Sequence, residues 1–196
     1  MRYVVICIIS FFIIAQPLYS GVIKGTVACK GVRDSRGVVV YVEKVDESDT
    51  TTKAPTIMDQ VNLEFLPHVL PIVKGTTVDF KNSDDVLHNV FTPDKCAEKM
   101  NLGTWPKGEM RSYTFNEIGC VSVILCNVHP EMEAWVLVLQ NSYFFKTDKA
   151  GTYEIKGIPA GKYILKVWHE RLKNQSVEIE VPAEGEVEAN FTLKRR

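Results

Sequence analysis

Histidine is scarce in this chain, with four in 196 residues. That number excludes a multinuclear oxidase-type centre, which needs many more imidazoles. Net charge is nearly absent as well: the formal value is -1 and the pI is near 6.4, so there is no overall basic field and nucleic acid is excluded as a partner. A charged docking patch would have to be local. No amphipathic stretch is long enough for a major helix. The apolar run at residues 4–15, broken only by Ser10, falls short of the roughly 20 residues a spanning helix needs. No lipid-attachment cysteine follows that run, since Cys7 lies inside it.

What is present begins with that run. Arg2, the apolar stretch and the segment ending Leu18-Tyr19-Ser20 read together as an export signal over residues 1–20, with the mature chain starting at Gly21. The mature form is then expected to have no integral membrane span and to be periplasmic or otherwise exported. Export places Cys29, Cys96, Cys120 and Cys126 where disulfides persist. If Cys126 binds metal, three cysteines are left, which allows one pair and a free thiol, or no pair. Cys120 and Cys126 lie on one expected strand roughly 20 Å apart, at about 3.3 Å per residue, so they do not bridge each other.

The hydrophobic content of 45% suffices for one or two compact cores. The pattern is strands and turns almost throughout. Strands are expected at 21–28, 38–43, 61–66, 69–73, 76–80, 111–115, 119–126 and 134–140, and after Gln140 at 144–145, 152–156, 162–169, 176–181 and 188–193. VDESDTTTKAP reads as a linker or surface loop, with Asp46, Glu47 and Asp49 on a solvated face. Residues 93–110 read as one long irregular stretch with a helical turn around 96–100. The expected fold class is all-β, with one sandwich followed by a second, smaller one.

The chemistry concentrates in VSVILCNVHPEMEAWVLVL, where Cys126, His129 and Met132 occupy a short polar turn between two β-forming runs. Thiolate and thioether sulfur beside an imidazole suits copper, and two histidines, a cysteine and a weak axial methionine form the pattern of blue-copper electron-transfer centres. The second histidine is His88, in SDDVLHNVF upstream. A lone cysteine ending a strand is usually a small buried hydrophobe, and methionine a gap filler. The four residues together favour a copper site. His68 and His169 read as structural and away from this set, and Trp105, Trp135 and Trp168 as core or interdomain packing.

Two family resemblances follow from these motifs. LEFLPHVLPIVKGTTVDFKNSD, LHNVF, the TF of SYTF and CNVHPEM resemble the cupredoxins of the plastocyanin and amicyanin group, the compact Cys126-x-x-His129-Pro130-x-Met132 spacing being most similar to amicyanin. The whole chain is similar to exported plastocyanin-type proteins labelled methylamine-utilisation proteins. The resemblance implies a cupredoxin Greek-key sandwich over 55–141 and one type 1 copper ion held by His88, Cys126, His129 and Met132. It also implies that Asn89 hydrogen-bonds across to the cysteine loop and that His129 offers the electron exit; Asn127 could equally tie the turn to its surroundings.

TDKAGTYEIKGIPAGKYILKVWHE and SVEIEVPAEGEVEANFTL resemble the carboxypeptidase regulatory-like, transthyretin-like sandwich, whose opening strands are matched by GVIKGTV and GVVVYVE. The expected second domain is therefore discontinuous, 21–45 with 143–196, and the cupredoxin is inserted into it. The alternative is a plain tandem. The function these readings imply is a non-enzymatic one-electron carrier serving an unidentified redox donor and acceptor; the alternative is a copper-binding or delivery protein, against which the lack of further Met and His clusters weighs.

Overall fold

A computed structural model describes residues 20–45 and 55–196. The expected leader and the acidic stretch around Asp46, Glu47 and Asp49 lie outside the described residues, apart from Ser20 at the leader's end. In chain order the strands are β1 (Ser20–Cys29), β2 (Val39–Val42), β3 (Thr56–Val61), β4 (Glu64–Leu66), β5 (Val69–Val73) and β6 (Thr76–Asn82). Next come β7 (His88–Phe91), β8 (Asn101–Trp105), β9 (Met110–Phe115), β10 (Val121–Leu125), β11 (Glu133–Leu139) and β12 (Phe144–Lys146). The set ends with β13 (Thr152–Pro159), β14 (Gly161–Trp168), β15 (Gln175–Val181), β16 (Glu186–Glu188) and β17 (Phe191–Leu193). Among the described residues the one helical element is a 3-10 turn, Lys95–Ala97.

The fold is all-β and sandwich-like. Strands β3 to β11 make two sheets, in the orders β4-β3-β6-β9 and β5-β11-β10-β7-β8. Alternation of buried and exposed residues along β6 and β10 sends Val78, Phe80 and Ile124 inward, where they meet Met58, Phe65, Val90, Trp105, Phe115 and Val136 in one core. The other two sheets have the orders β13-β1-β16, with β17 also pairing β1, and β12-β2-β14-β15. Their core is built on Ile23, Val27, Val40, Ile155, Leu165, Val167 and Phe191. Gly25 in β1 lets the chain cross closely there, because a Cβ would lie 1.9 Å from the Ala189 carbonyl oxygen. A third apolar cluster of Val39, Val69, Leu137, Leu139 and Trp168 joins the two sandwiches, with Trp135 and Trp168 rings 5.7 Å apart.

Three local expectations need correction. The apolar run 61–66 is a hairpin, β3 paired to β4 with Val61 opposite Glu64, and Asn62 and Leu63 form the two-residue turn at φ 55° and 60°. A left-handed Leu is rare, and this one is held because the Asp84 carboxylate accepts the N–H groups of Asn62 and Leu63 at 2.6 and 3.0 Å. The stretch 93–110 is not irregular throughout, since β8 pairs with β7 inside it. The run 188–193 divides between the end of β16 and β17.

Cys96 and Cys120 form a disulfide with a Cα–Cα distance of 5.5 Å, tying the β7–β8 connection to the strand that leads into Cys126. Cys29 and Cys126 are free. The bond closes a loop of sequence separation 24; loop-closure entropy for that length gives about 3 kcal/mol. The Cys96→Ser/Cys120→Ser double variant is therefore expected to lose about that much stability in urea unfolding, with the β-rich circular dichroism spectrum retained.

Candidate metal centre

The site lies at one end of the first sandwich, and register puts it there. β10 pairs with β11 so that Leu125 faces Glu133, and the same Leu125 faces Phe91 of β7 on the other side. Cys126 leaves β10 between two neighbours. On one side His88 opens β7; on the other, residues 126–132 form the short turn into β11. The donor atoms of His88, Cys126 and His129 all lie within 4.8 Å of one another. Nδ1 of His88 is 3.9 Å from Cys126 Sγ and 3.1 Å from Nδ1 of His129. His88 is fully buried and Cys126 nearly so, at 0% and 3% exposure, whereas His129 is only half-buried.

Hydrogen bonds hold the thiol and the turn. The Asn89 main-chain N–H points at Cys126 Sγ, 3.4 Å away. The Asn89 side-chain oxygen accepts the Asn127 N–H at 3.3 Å, and its nitrogen donates to Asn101 Oδ1 at 3.0 Å and the Gly103 carbonyl at 2.7 Å. One buried amide thus ties β7 to both the cysteine turn and β8. Met132 is 1% exposed, shares the core with Cys126 and Trp105, and donates its N–H to the His129 carbonyl at 3.0 Å, closing the turn.

Asp84 was not legible as part of the site. Its Oδ2 accepts a hydrogen bond from His88 Nε2 at 2.8 Å. With Nε2 carrying the proton, Nδ1 presents its lone pair toward Cys126 and His129. Burial pushes the Asp84 carboxyl up, but the N–H groups of Leu63 and Asn62 and the His88 ring outweigh it and hold its pKa below the usual value. The only sequence signal was an acidic turn just before His88. Nothing in spacing distinguishes Asp84 from Asp85, which points outward to Lys107.

His68 and His169 divide. His169 is buried, and its Nδ1 accepts the Arg171 N–H at 3.0 Å. His68 is not away from the site: its ring reaches the carbonyl of Glu133, the residue after Met132, at 2.9 Å. Trp105 is wholly buried beneath the Arg111 guanidinium, 5.5 Å from its ring centre, and Trp135 and Trp168 meet at the junction of the sandwiches.

The donor set suits copper. Tetrahedral first-row metal bonds of about 2.0 Å to nitrogen and 2.3 Å to sulfur, as for zinc, place donors about 3–4 Å apart, the separation found here between His88 and its two partners. One thiol with two imidazoles is a soft set that selects copper or zinc over calcium or magnesium.

No family model and no curated protein sequence matches the chain. Solved structures do. The copper-containing nitrite reductase of Thermus scotoductus SA-01 is 28% identical over 45% of this chain and 23% of its own, with a TM-score of 0.42; the present chain thus spans under a quarter of that enzyme. A purple cupredoxin from Nitrosopumilus maritimus is 26% identical over 42% of this chain and 98% of its own, with a TM-score of 0.38. The Cu(I) form of a methionine-to-alanine mutant of amicyanin is 21% identical over 52% of this chain and 98% of its own, with a TM-score of 0.41. The functional assignment therefore rests on the geometry of the site.

Asn89→Leu removes the buried amide and cuts its bonds to the Asn127 N–H and the Gly103 carbonyl, a loss of about 0.5–1.5 kcal/mol for each hydrogen bond. In the metal-free chain, Cys126 of this variant is expected to react faster with a thiol reagent than wild-type Cys126, while Cys29 reacts unchanged.

Proposed function

We propose that the chain is an exported type 1 copper protein that carries one electron at a time, with His88, Cys126, His129 and Met132 holding the ion. The observation that carries this reading is the convergence of one buried thiol and two imidazole nitrogens at the end of a β-sandwich. Bound copper would supply a one-electron Cu(II)/Cu(I) couple. The chain's own residues do the rest. Cys126 would bind as the thiolate, with the Asn89 N–H aimed at its sulfur. His88 is held in one tautomer by Asp84, and Met132, packed beneath the turn, would be the weak axial ligand.

Such a set, with all positions filled by protein, leaves none open for a substrate, which favours a carrier over an enzyme. His129 is the half-buried member, and Leu87 at 53% and Val128 at 45% exposure border the ligand histidines. That rim suits transient docking of a redox donor and acceptor. Among the described residues no helix is long and apolar enough to cross a membrane. The division into a cupredoxin over 55–141 and a discontinuous second domain of 21–45 with 143–196 belongs to the same proposal. It is supported by β1 and β2 pairing with β12 to β17 and not with β3 to β11.

Oxidised, copper-loaded protein is expected to show an intense visible thiolate-to-copper band and a reversible one-electron wave, and Cys126→Ser to lose the band. A variant that stays blue would sink the assignment. Rapid surrender of copper to a chelator, without reversible electrochemistry, would favour delivery.

A further inference from the structure

We propose that the second sandwich acts on the metal centre through a charged link: Glu170 holds His68, His68 holds the main-chain carbonyl of Glu133, and the position of Met132 follows. Glu170 and His68 are then positioning residues for the Met132 end of the turn. The role given to Met132 rests on the copper reading above.

Each step of the link is a contact. His68 lies between β4 and β5 in the first sandwich, and its carbonyl accepts the Trp135 N–H at 2.8 Å. Its Nδ1 is 2.9 Å from the Glu133 carbonyl, which can only accept, so Nδ1 carries a proton. Its Nε2 is 2.6 Å from Glu170 Oε2, and an ionised carboxylate likewise only accepts. Both nitrogens donate, so the ring is the imidazolium. Glu170 follows β14 of the second sandwich, its side chain is 11% exposed, and its other oxygen takes Arg171 Nε at 3.1 Å. Two residues before Glu170, Trp168 packs against Trp135, which lies two residues after Glu133. The apolar contact sets the spacing of the sandwiches, and the charged link reaches from it to the turn.

The groups facing His68 favour its charged form. Glu170 is the largest cause of its raised pKa, burial opposes it, and Glu133 adds to the rise. Arg171 and the buried His169 stand on the Glu170 side, and Lys146 donates to the carbonyl of Val69, the next residue. A raised pKa in the folded chain means that the link is complete below the ordinary imidazole value and is lost as pH rises through the raised one. Losing one proton removes one of the two hydrogen bonds and one positive charge near the copper ligands. The lost positive charge favours Cu(II).

The test uses the full chain in two states. In the metal-free chain, NMR should show His68 titrating above the ordinary imidazole value, with the Met132 and Glu133 amide signals following the same curve. Glu170→Gln should shift the His68 titration to lower pH and weaken the amide response. In the copper-loaded chain the reduction potential should fall through a single one-proton step at the His68 pKa; the step should move to lower pH in Glu170→Gln and vanish in His68→Gln. His68 titrating normally in the wild type, or amides of Met132 and Glu133 that ignore it, would overturn the link. A blue band with no pH step in the potential would overturn it too, while leaving the carrier standing. Coupled amides in a chain that never turns blue would support the link and remove the copper reading.

Discussion

The register of β10 is the constraint on which the site depends. Leu125 faces Glu133 on one side and Phe91 on the other, so a single residue fixes how the cysteine turn meets the histidine strand. Side chains alternate along a strand, and a one-residue slip would send Cys126 to the opposite face and away from His88. The slip is resisted because Ser122 and Ile124, which are wholly buried, would be exchanged for the partly exposed Val121, Val123 and Leu125. Packing in the sandwich core, not any affinity among these side chains, brings the Cys126 thiol and the His88 and His129 imidazoles within 4.8 Å of one another.

Around that register the two sheets make separate ties. Asn89 is internal to the β10–β7–β8 side, joining the cysteine turn to Gly103. Asp84 works across the sandwich, taking His88 with one oxygen and the left-handed turn of the β3–β4 hairpin with both. The hairpin's backbone strain and the tautomer of His88 are thus settled by the same carboxylate. A half-satisfied buried network is costlier than none, so loss of either amino acid is felt throughout the group.

The turn carrying Cys126, His129 and Met132 and the all-β pattern were legible because they are local: three residues on one turn, and alternating apolar runs on either side. What escaped was set by partners far along the chain. The hairpin at Asn62-Leu63 lacks the glycine that usually marks such a turn, so Val61 to Leu66 looked continuous. β8 forms because β7 lies beside it, and NLGTW alone carries little strand signal. The pairing of Cys96 with Cys120 could not be chosen among three cysteines without coordinates. His68 passed as an isolated polar residue because Glu170 lies 102 positions away.

The junction between the sandwiches follows from the same physics. Apolar contact through Val39, Val69, Leu137, Leu139 and Trp168 is non-directional and tolerates small sliding. A charge-assisted hydrogen bond between His68 and Glu170 is directional, and His68 in turn ends on the Glu133 carbonyl, just past the Cys126–Met132 turn. On the proposed carrier reading, little change of shape between two charge states requires that the Cys126–Met132 turn be braced from outside itself. Residues 126–132 have one internal main-chain brace, Met132 N–H to the His129 carbonyl. Asn89 braces the turn near the thiol end and His68 beyond the methionine end, so the surrounding fold supplies rigidity that a seven-residue turn lacks by itself.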